Sequence, residues 1–566
     1  MFCMYLGDVA FDATPAVFRR YAALIELNLS KLKLGVNSLD DVIVHLGADH
    51  VSVFDRTCDH NGGRLITNGE RTICPLHGWE FDPATGRYLN VQCEKVALYS
   101  GPIPEDGRLN VEIPKSRRAV QGFSDSQDVS VRYLNHACVV IETPTLRIAT
   151  DPWLIGSSFC NGWWLAEPSP EDSFEVVNSC DFVFISHNHP DHLHPETLSR
   201  VRKDMPILTA DFSSGSTERY LRHIGFKTVI PMDFTTKLVS EETSTAISVV
   251  KSGDFRDDSG LILETGAFTG VFSVDSNFLD FGRLPKNPTL LASSFAGGAA
   301  HFPLCFDNYD MDEKLRILDR NRRSIRTTNR SVMKSTRPKM FLPYAGAFSE
   351  TAVRDKFVRG ANKKNTISDY QMICDSLGVD LLDYRDAQVF EFRGAELLAA
   401  RPDGKARLQE PSPEAQIQRS EQGIQPMSPG ALASYFENSG YFRPLDLEVI
   451  PTNDAFEPTG NRYQIRFSST TRPSVEVVSG HLVPMSRRSG VNYLSIRVRE
   501  KELARVLQNG LPWEDLSLGF QTRISREPNI YNSKFWFHFT NVYVNDRVHT
   551  QTEDCGGCRV LEQAIF

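Results

Sequence analysis

Two groups of residues in this chain have the types and spacing of metal ligands. Cys58-x-His60 and Cys74-x-x-His77 place one thiol and one imidazole on each of two loops, "CDHNGG" and "CPLHGW". His187-x-His189-x-Asp191-His192 lies in "SHNHPDHLH", directly after the apolar run "DFVFI". The first group suits electron transfer. Two thiolates can hold one iron of a [2Fe-2S] cluster while two neutral imidazoles hold the other, which raises its potential. A structural zinc site is the alternative, but zinc spacings pair Cys with Cys and His with His, whereas these pairs are mixed. Gly62, Gly63, Pro75 and Gly78 supply the tight turns that bring backbone N–H groups to sulfide. The second group, taken alone, is the signature of a two-metal hydrolase.

A full two-metal set needs two later histidines and a bridging aspartate. Asp275 ends the apolar run "GVFSVD" and is the expected carboxylate. Where one histidine should stand, "SGDFRDDSG" offers Asp254, Asp257 and Asp258; where the other should stand, "FLPYAGAFSE" offers none. His136 in "LNHAC" and Asp151 in "ATDPWL" look like the early strand motifs of one branch of such a hydrolase fold; His136 is expected to support a ligand rather than bind metal, and His301 is a spare candidate. His187, His189 and Asp275 then form the facial triad of a mononuclear non-haem Fe(II) site. Asp191 and His192 remain as parts of a second position that bind, position or relay. Such an iron needs two electrons per O2, and a cluster delivers them singly. The pair therefore points to a monooxygenase, in which the metals carry the chemistry and the protein supplies position. A hydrolase whose cluster domain only senses redox state is the competing reading.

These ligands need elements to hold them. The chain has 566 residues, too many for one core, and 41% are hydrophobic, so several cores can be buried. Short alternating runs between turn residues predict a small all-β domain over 20–118, and its two Cys–His loops resemble those of Rieske [2Fe-2S] domains. Strands alternating with helical patterns predict an α/β region over 128–400, and His187-x-His189-x-Asp191-His192 within it resembles the motif of the metallo-β-lactamase fold, which implies a four-layer sandwich. The stretch 401–430, rich in Pro, Gln and Glu, reads as an exposed linker or loop, and 431–566 as a mixed α/β region. The net charge of −9 argues against a nucleic-acid partner. No apolar run is long enough for a membrane span, and the start lacks the basic segment of a signal peptide. Eleven scattered cysteines fit a reducing, cytoplasmic setting, with "CGGC" (Cys555–Cys558) read as plain thiols.

Beyond the metal motifs, the chain resembles the CMP-N-acetylneuraminate monooxygenase (hydroxylase) family over nearly its whole length. The resemblance runs through "CDHNGG", "CPLHGW", "LNHAC", "DPWLIGSSFCNGWWL", "ISHNHPDHL", "SSFAGGA", "PYAGAF" and "NGLPWEDLSLGFQTRISREPNIY". It implies oxidation of the N-acetyl methyl of a CMP-linked sialic acid to N-glycolyl. The implied co-reactants are O2 and electrons from cytochrome b5, or from ferredoxin with a reductase. Trp163 and Trp164 are candidates to stack on a base or sugar. Arg523 and Arg526 are candidates to pair a phosphate or carboxylate. A different substrate, oxidised at nitrogen or carbon by the same two centres, is the alternative.

Overall fold

The computed structural model describes residues 18–540 apart from 61, 70, 76–77, 114–122, 124–125, 213, 235, 253–256, 277–278, 280–282, 300 and 480–484. His77, Asp254 and the "CGGC" pair lie outside the described residues.

The N-terminal unit is built from short antiparallel strands. Ala23–Asn28 pairs with Arg108–Ile113, and four strands stack in the order Tyr99–Pro102, His50–Asp55, Val42–Leu46, Gly35–Ser38. In Arg108–Ile113 every second residue is buried, so Leu109, Val111 and Ile113 meet Val42, Val44, Val51 and Val53 in one small core. A separate meander, Ile66–Asn68, Arg71–Ile73, Glu80–Asp82 and Arg87–Tyr88, presents the second cysteine loop.

The middle of the chain forms two eight-stranded sheets. One runs Val229–Met232, Ile207–Ala210, Phe182–Ile185, Arg147–Thr150, Cys138–Glu142, Asp128–Asn135, Val389–Arg393, Glu396–Arg401. The other holds Thr245–Lys251, Ser259–Thr265, Phe268–Phe272, Leu290–Ser294 and Met340–Tyr344 at its centre. Val131, Val139, Phe184 and Leu208 of the first sheet share a core with Ile247, Leu261, Phe272 and Leu342 of the second. The outer faces are covered by helices: Ser173–Asn178, Pro195–Ser199 and Ser216–His223 on the first, Met311–Thr336 and Gln371–Leu377 on the second. Strands buried on both faces must be apolar throughout, which is why Phe182–Ile185 and Met340–Tyr344 read as unbroken runs rather than alternations. This is the expected four-layer sandwich. The second sheet also recruits Arg19–Arg20, which pairs with Lys237–Ser240, so the chain touches this sandwich before it enters the N-terminal unit.

The C-terminal region is a five-stranded sheet, Ser474–Ser479, Asn461–Phe467, Leu445–Thr452, Tyr493–Arg499, Thr522–Glu527, with helices packed on it. It is not a separate globule. Its Leu447, Ile496, Trp513 and Phe535 share one core with Trp153, Phe159, Phe306 and Phe348 of the sandwich. The fit is close enough that a Cβ on Gly162 would overlap the backbone of Gly519. The expected linker also differs. Residues Pro413–Gln422 and Pro429–Glu437 are helices, each opened by a serine cap and a proline in its first turn, in "PSPEAQ" and "MSPGAL". Ile417 packs on Trp164 and Ala352, and Glu410 accepts a hydrogen bond from Gly156 N at 2.9 Å. Among the described residues no helix is long and apolar enough to cross a membrane.

Candidate metal centre

The two cysteine loops are near copies. Gly62 N donates to Cys58 O at 3.0 Å and Cys58 N to Gly63 O at 2.6 Å; Gly78 N donates to Cys74 O at 2.9 Å and Cys74 N to Trp79 O at 2.8 Å. Each loop thus closes on itself with its cysteine at the mouth. Both cysteines are buried, and hydrogen bonding to Cys74, with burial, pushes the Cys58 thiol far up. Two thiols this close and this dry are a poor arrangement unless iron takes up their charge. The donor set therefore fits a cluster, with His60 stacked on Trp79 at 4.6 Å. Tyr88 Oη donates to Asp59 Oδ2 at 2.9 Å and its hydrogen bond to Cys58 works in the opposite direction to Cys74. The buried Lys95 pairs with Asp55 (3.3 Å) and Asp59 (3.2 Å) and fixes the loop from beneath.

The second pocket is assembled at one edge of both sheets. His187, His189, Asp191 and His192 follow Phe182–Ile185; His136 caps the hairpin between Asp128–Asn135 and Cys138–Glu142. Asp151 follows Arg147–Thr150, Asp258 precedes Ser259–Thr265, and Asp275 follows Phe268–Phe272. Backbone strain gathers here: His136, Asp151 and Val274 all have positive φ, at 44°, 36° and 52°.

Among the described residues, donor atoms fall into three overlapping groups, each within 4.8 Å: His136 with Asp191 and His192; His187 with His192 and Asp275; His187 with His189 and Asp258. His187 Nε2 and His189 Nδ1 lie 2.9 Å apart, and Asp258 Oδ1 is 3.8 Å from His187 Nε2. Asp191 Oδ2 is 3.2 Å from His136 Nε2 and 3.4 Å from His192 Nε2, which is itself 3.4 Å from Asp275 Oδ2. Both ring nitrogens of His136 and of His192, with Asp191 Oδ1 and Asp151 Oδ2, are buried and make no hydrogen bond. These buried groups meet one another as ion pairs at 3.2 to 3.4 Å rather than through hydrogen bonds, a donor set that an ion would satisfy. Burial alone would raise Asp191, yet His192 and His136 hold it well below the usual carboxylate range. Burial likewise opposes charge on His192, which Asp191 and Asp275 override.

The geometry corrects three expectations. The triad of His187, His189 and Asp275 is not one group: Asp258 joins the two histidines, and Asp275 lies toward His192. His136 stands among the donors rather than behind one. The pocket therefore offers donors at two adjoining positions, where a single mononuclear triad was expected. Asp151 lies 3.3 Å behind His192 Nδ1 and accepts from Ser186 N at 2.7 Å. His301 is buried between Phe306 and Trp536, outside these groups.

The substrate candidates fare differently. Trp163 stacks on Phe348 at 3.8 Å and donates to Leu518 O, and Trp164 is buried against Ile417. Neither ring has a free face for a base. Arg523 is held between the rings of Phe357 and Phe456, at 4.0 and 3.8 Å. Arg526 is buried over Phe306 and donates to Asn529. All four side chains are engaged in packing.

Sequence reasoning missed Glu514. Helix Trp513–Leu518 carries it from the C-terminal region to within 3.7 Å of His189 Nε2, and Thr540 Oγ1 donates to it at 2.8 Å. Burial would lower His189, but Glu514 raises it to about 9; burial would raise Glu514, but His189 holds it down. A carboxylate behind a ligating imidazole fixes its tautomer and orientation. Asp515, next along, is buried, and that burial pushes its carboxyl well above the usual carboxylate range. Glu514→Gln, which keeps shape but removes charge, is expected to weaken metal retention and turnover by roughly 10- to 100-fold. Dialysis against a chelator, followed by iron analysis, measures this; unchanged retention removes Glu514 from the centre.

Comparison with known proteins bears on both halves. Residues 28–100 match the model of the Rieske [2Fe-2S] domain, and residues 130–265 that of the beta-lactamase superfamily domain. Cytidine monophosphate-N-acetylneuraminic acid hydroxylase of Xenopus laevis is 28% identical over 570 residues, covering 91% of this chain and 92% of the relative. The Macaca mulatta protein of the same name is 26% identical over 571 residues, with the same coverage. A diiron beta-hydroxylase from Streptomyces venezuelae aligns structurally at 18% identity and a TM-score of 0.32, over 47% of this chain and 54% of that one.

Proposed function

We propose that this chain, a Rieske-type monooxygenase with a [2Fe-2S] cluster and non-haem iron, hydroxylates the N-acetyl methyl of cytidine monophosphate-N-acetylneuraminic acid. The carrying observation is that hydroxylases named for that substrate align with the chain through both metal domains and the C-terminal region. Cys58, His60 and Cys74, with His77, would hold the cluster. His187, His189 and Asp258 would hold one iron position, and Asp191, His192 and His136 the adjoining one, with Asp275 between. Metal at this pocket would supply O2 binding and reduction. The protein's part is to keep the donors dry and oriented: Asp151 behind His192, Glu514 behind His189, and Ser186 Oγ at 2.9 Å from His187 Nδ1.

The balanced reaction takes one C–H bond, one O2, two electrons and two protons to one C–OH and one water. Electrons would come from cytochrome b5, or from ferredoxin with a reductase. Protein supplied with such a carrier, NADH, 18O2 and the CMP sugar is expected to yield product carrying one 18O, read by mass spectrometry. No product from protein whose cluster is intact and reducible overturns the substrate. It leaves the oxygenase reading to be pursued on another amide or amine.

A further inference from the structure

The strands Phe182–Ile185, Ile207–Ala210 and Val229–Met232 are consecutive and parallel in one sheet. Ile185 is level with Thr209, and Thr209 with Pro231. Two strand spacings separate Ile185 from Pro231, about 10 Å, and His187 and position 233 each follow two residues later in the chain. The next residue, Phe234, is where the N-terminal unit touches the sandwich. A Cβ on Gly62 (φ +70°) would lie 3.4 Å from Phe234 Cβ and would strike the guanidinium of Arg283. Arg283 Nη1 donates to Gly62 O at 3.1 Å. Gly62 belongs to the loop that carries Cys58 and His60 and is closed by its own bond to Cys58 O. The N-terminal segment is tied to the sandwich a second time, because Arg19–Arg20 pairs with Lys237–Ser240, the strand that follows Phe234, and Tyr21 N donates to Lys237 O at 2.8 Å. From Phe234 the packing runs inward: its ring is 5.6 Å from that of Phe212, over which Lys251 Nζ lies at 6.0 Å, and Lys251 acts on Asp257, the neighbour of Asp258.

We propose that electrons pass from the cluster to the metal pocket within a single chain, and that Arg283 and Phe234 are positioning residues that hold the first cluster loop at the edge where His187 emerges. Each transfer oxidises the cluster by one electron and reduces the pocket by one. Two transfers, both replenished by an external one-electron carrier protein, meet the needs of one O2. Gly62 lies against both residues at positive φ, so a side chain there would be strained and would displace the Arg283 guanidinium. The inference rests on the oxygenase reading and not on the identity of the substrate.

The test mixes two defective full-length chains: Cys58→Ala, with no cluster, and Asp258→Ala, with an intact cluster and an incomplete pocket. They are co-expressed with different tags and purified through both, or mixed where the chain is a monomer. Transfer within one chain predicts product at the background of either variant alone. Product well above that background shows donation between chains and overturns the proposal. Absence of product from the wild-type chain as well is the failure of the substrate reading, and a second readout then decides. Dipolar broadening of the reduced cluster's EPR signal by paramagnetic pocket metal should persist when wild-type chains are diluted into an excess of metal-free Cys58→Ala chains. Its loss on dilution overturns the proposal. Arg283→Ala should slow reoxidation of the reduced cluster by O2 and substrate about ten-fold, with its spectrum and its reduction by the carrier unchanged. Arg283→Lys should restore most of the rate. Equal reoxidation in the Ala variant and wild type removes Arg283 from this role; if the Ala variant fails to fold, the mixing and dilution results stand alone.

Discussion

Asp258→Ala is expected to remove iron from the His187–His189 position and to lower oxygenation by more than about 100-fold, while the cluster's absorbance is unchanged. The floor follows from supporting residues, whose loss alone typically costs 10- to 100-fold. Asp258 is no supporting residue: it is 2% exposed, and its Oδ1 faces the nitrogens that His187 and His189 turn toward each other. Removing it takes away the one carboxylate that, among the described residues, groups with both His187 and His189, which favours loss of a divalent ion. Asp258→Asn separates charge from shape and should fall between the two. Asp275→Ala is the control, since Asp275 lies against His192 and its side chain is 26% exposed. It should disturb the adjoining position and retain iron between His187 and His189. Iron analysis, the cluster's visible spectrum and product yield read all three variants. If Asp258→Ala keeps its iron and its turnover while Asp275→Ala loses both, the third ligand is Asp275 after all.

The contrast between these two aspartates shows what the sequence could disclose. "SHNHPDHLH" was legible because four donors sit on one loop after one buried strand, so their spacing alone makes them converge. The cysteine loops were legible for the same reason. Asp258 was not, because in "FRDDSG" nothing local says which acid turns inward; that is set by where Ser259–Thr265 begins in the sheet. His136 was underrated because its place beside Asp191 depends on a hairpin turn at φ 44°, a conformation uncommon outside glycine. Glu514 has no sequence signal at all. It reaches His189 only because the C-terminal sheet shares a core with the sandwich and Gly162 and Gly519 let their backbones meet. Trp163 erred the other way: an exposed stacking platform and a buried core aromatic look alike in sequence, and Phe348 settles it by covering the ring. The stretch 401–430 was misjudged on composition, although the serine–proline pairs at 412–413 and 428–429 carry the helix signal that its polar residues obscure.

Cys58→Ala separates the two centres. It should abolish the cluster's spectrum and all turnover driven by a carrier protein, yet leave pocket iron at the wild-type level. The first half follows from the ligand set, since one thiol cannot replace the charge and geometry of two. The second follows from the packing. Cys58 belongs to the core of Ile43, Phe54, Leu65, Cys74, Phe81 and Tyr88, while the pocket donors hang from the sandwich strands, so no pocket ligand depends on the thiol. Some stability should go with the cluster, because ligation contributes to folding; a lowered melting temperature confined to the N-terminal unit is the expected form. Hydrogen peroxide then supplies the decisive arm. It is O2 already reduced by two electrons and two protons, so C–H plus peroxide balances to C–OH plus water with no carrier. If the pocket is where oxygen meets substrate, peroxide should restore product to the Cys58→Ala chain but not to an Asp258→Ala chain. Product from neither variant, with pocket iron intact in the first, would detach oxygen chemistry from this pocket. Carrier-driven turnover in Cys58→Ala would detach the cluster from the reaction.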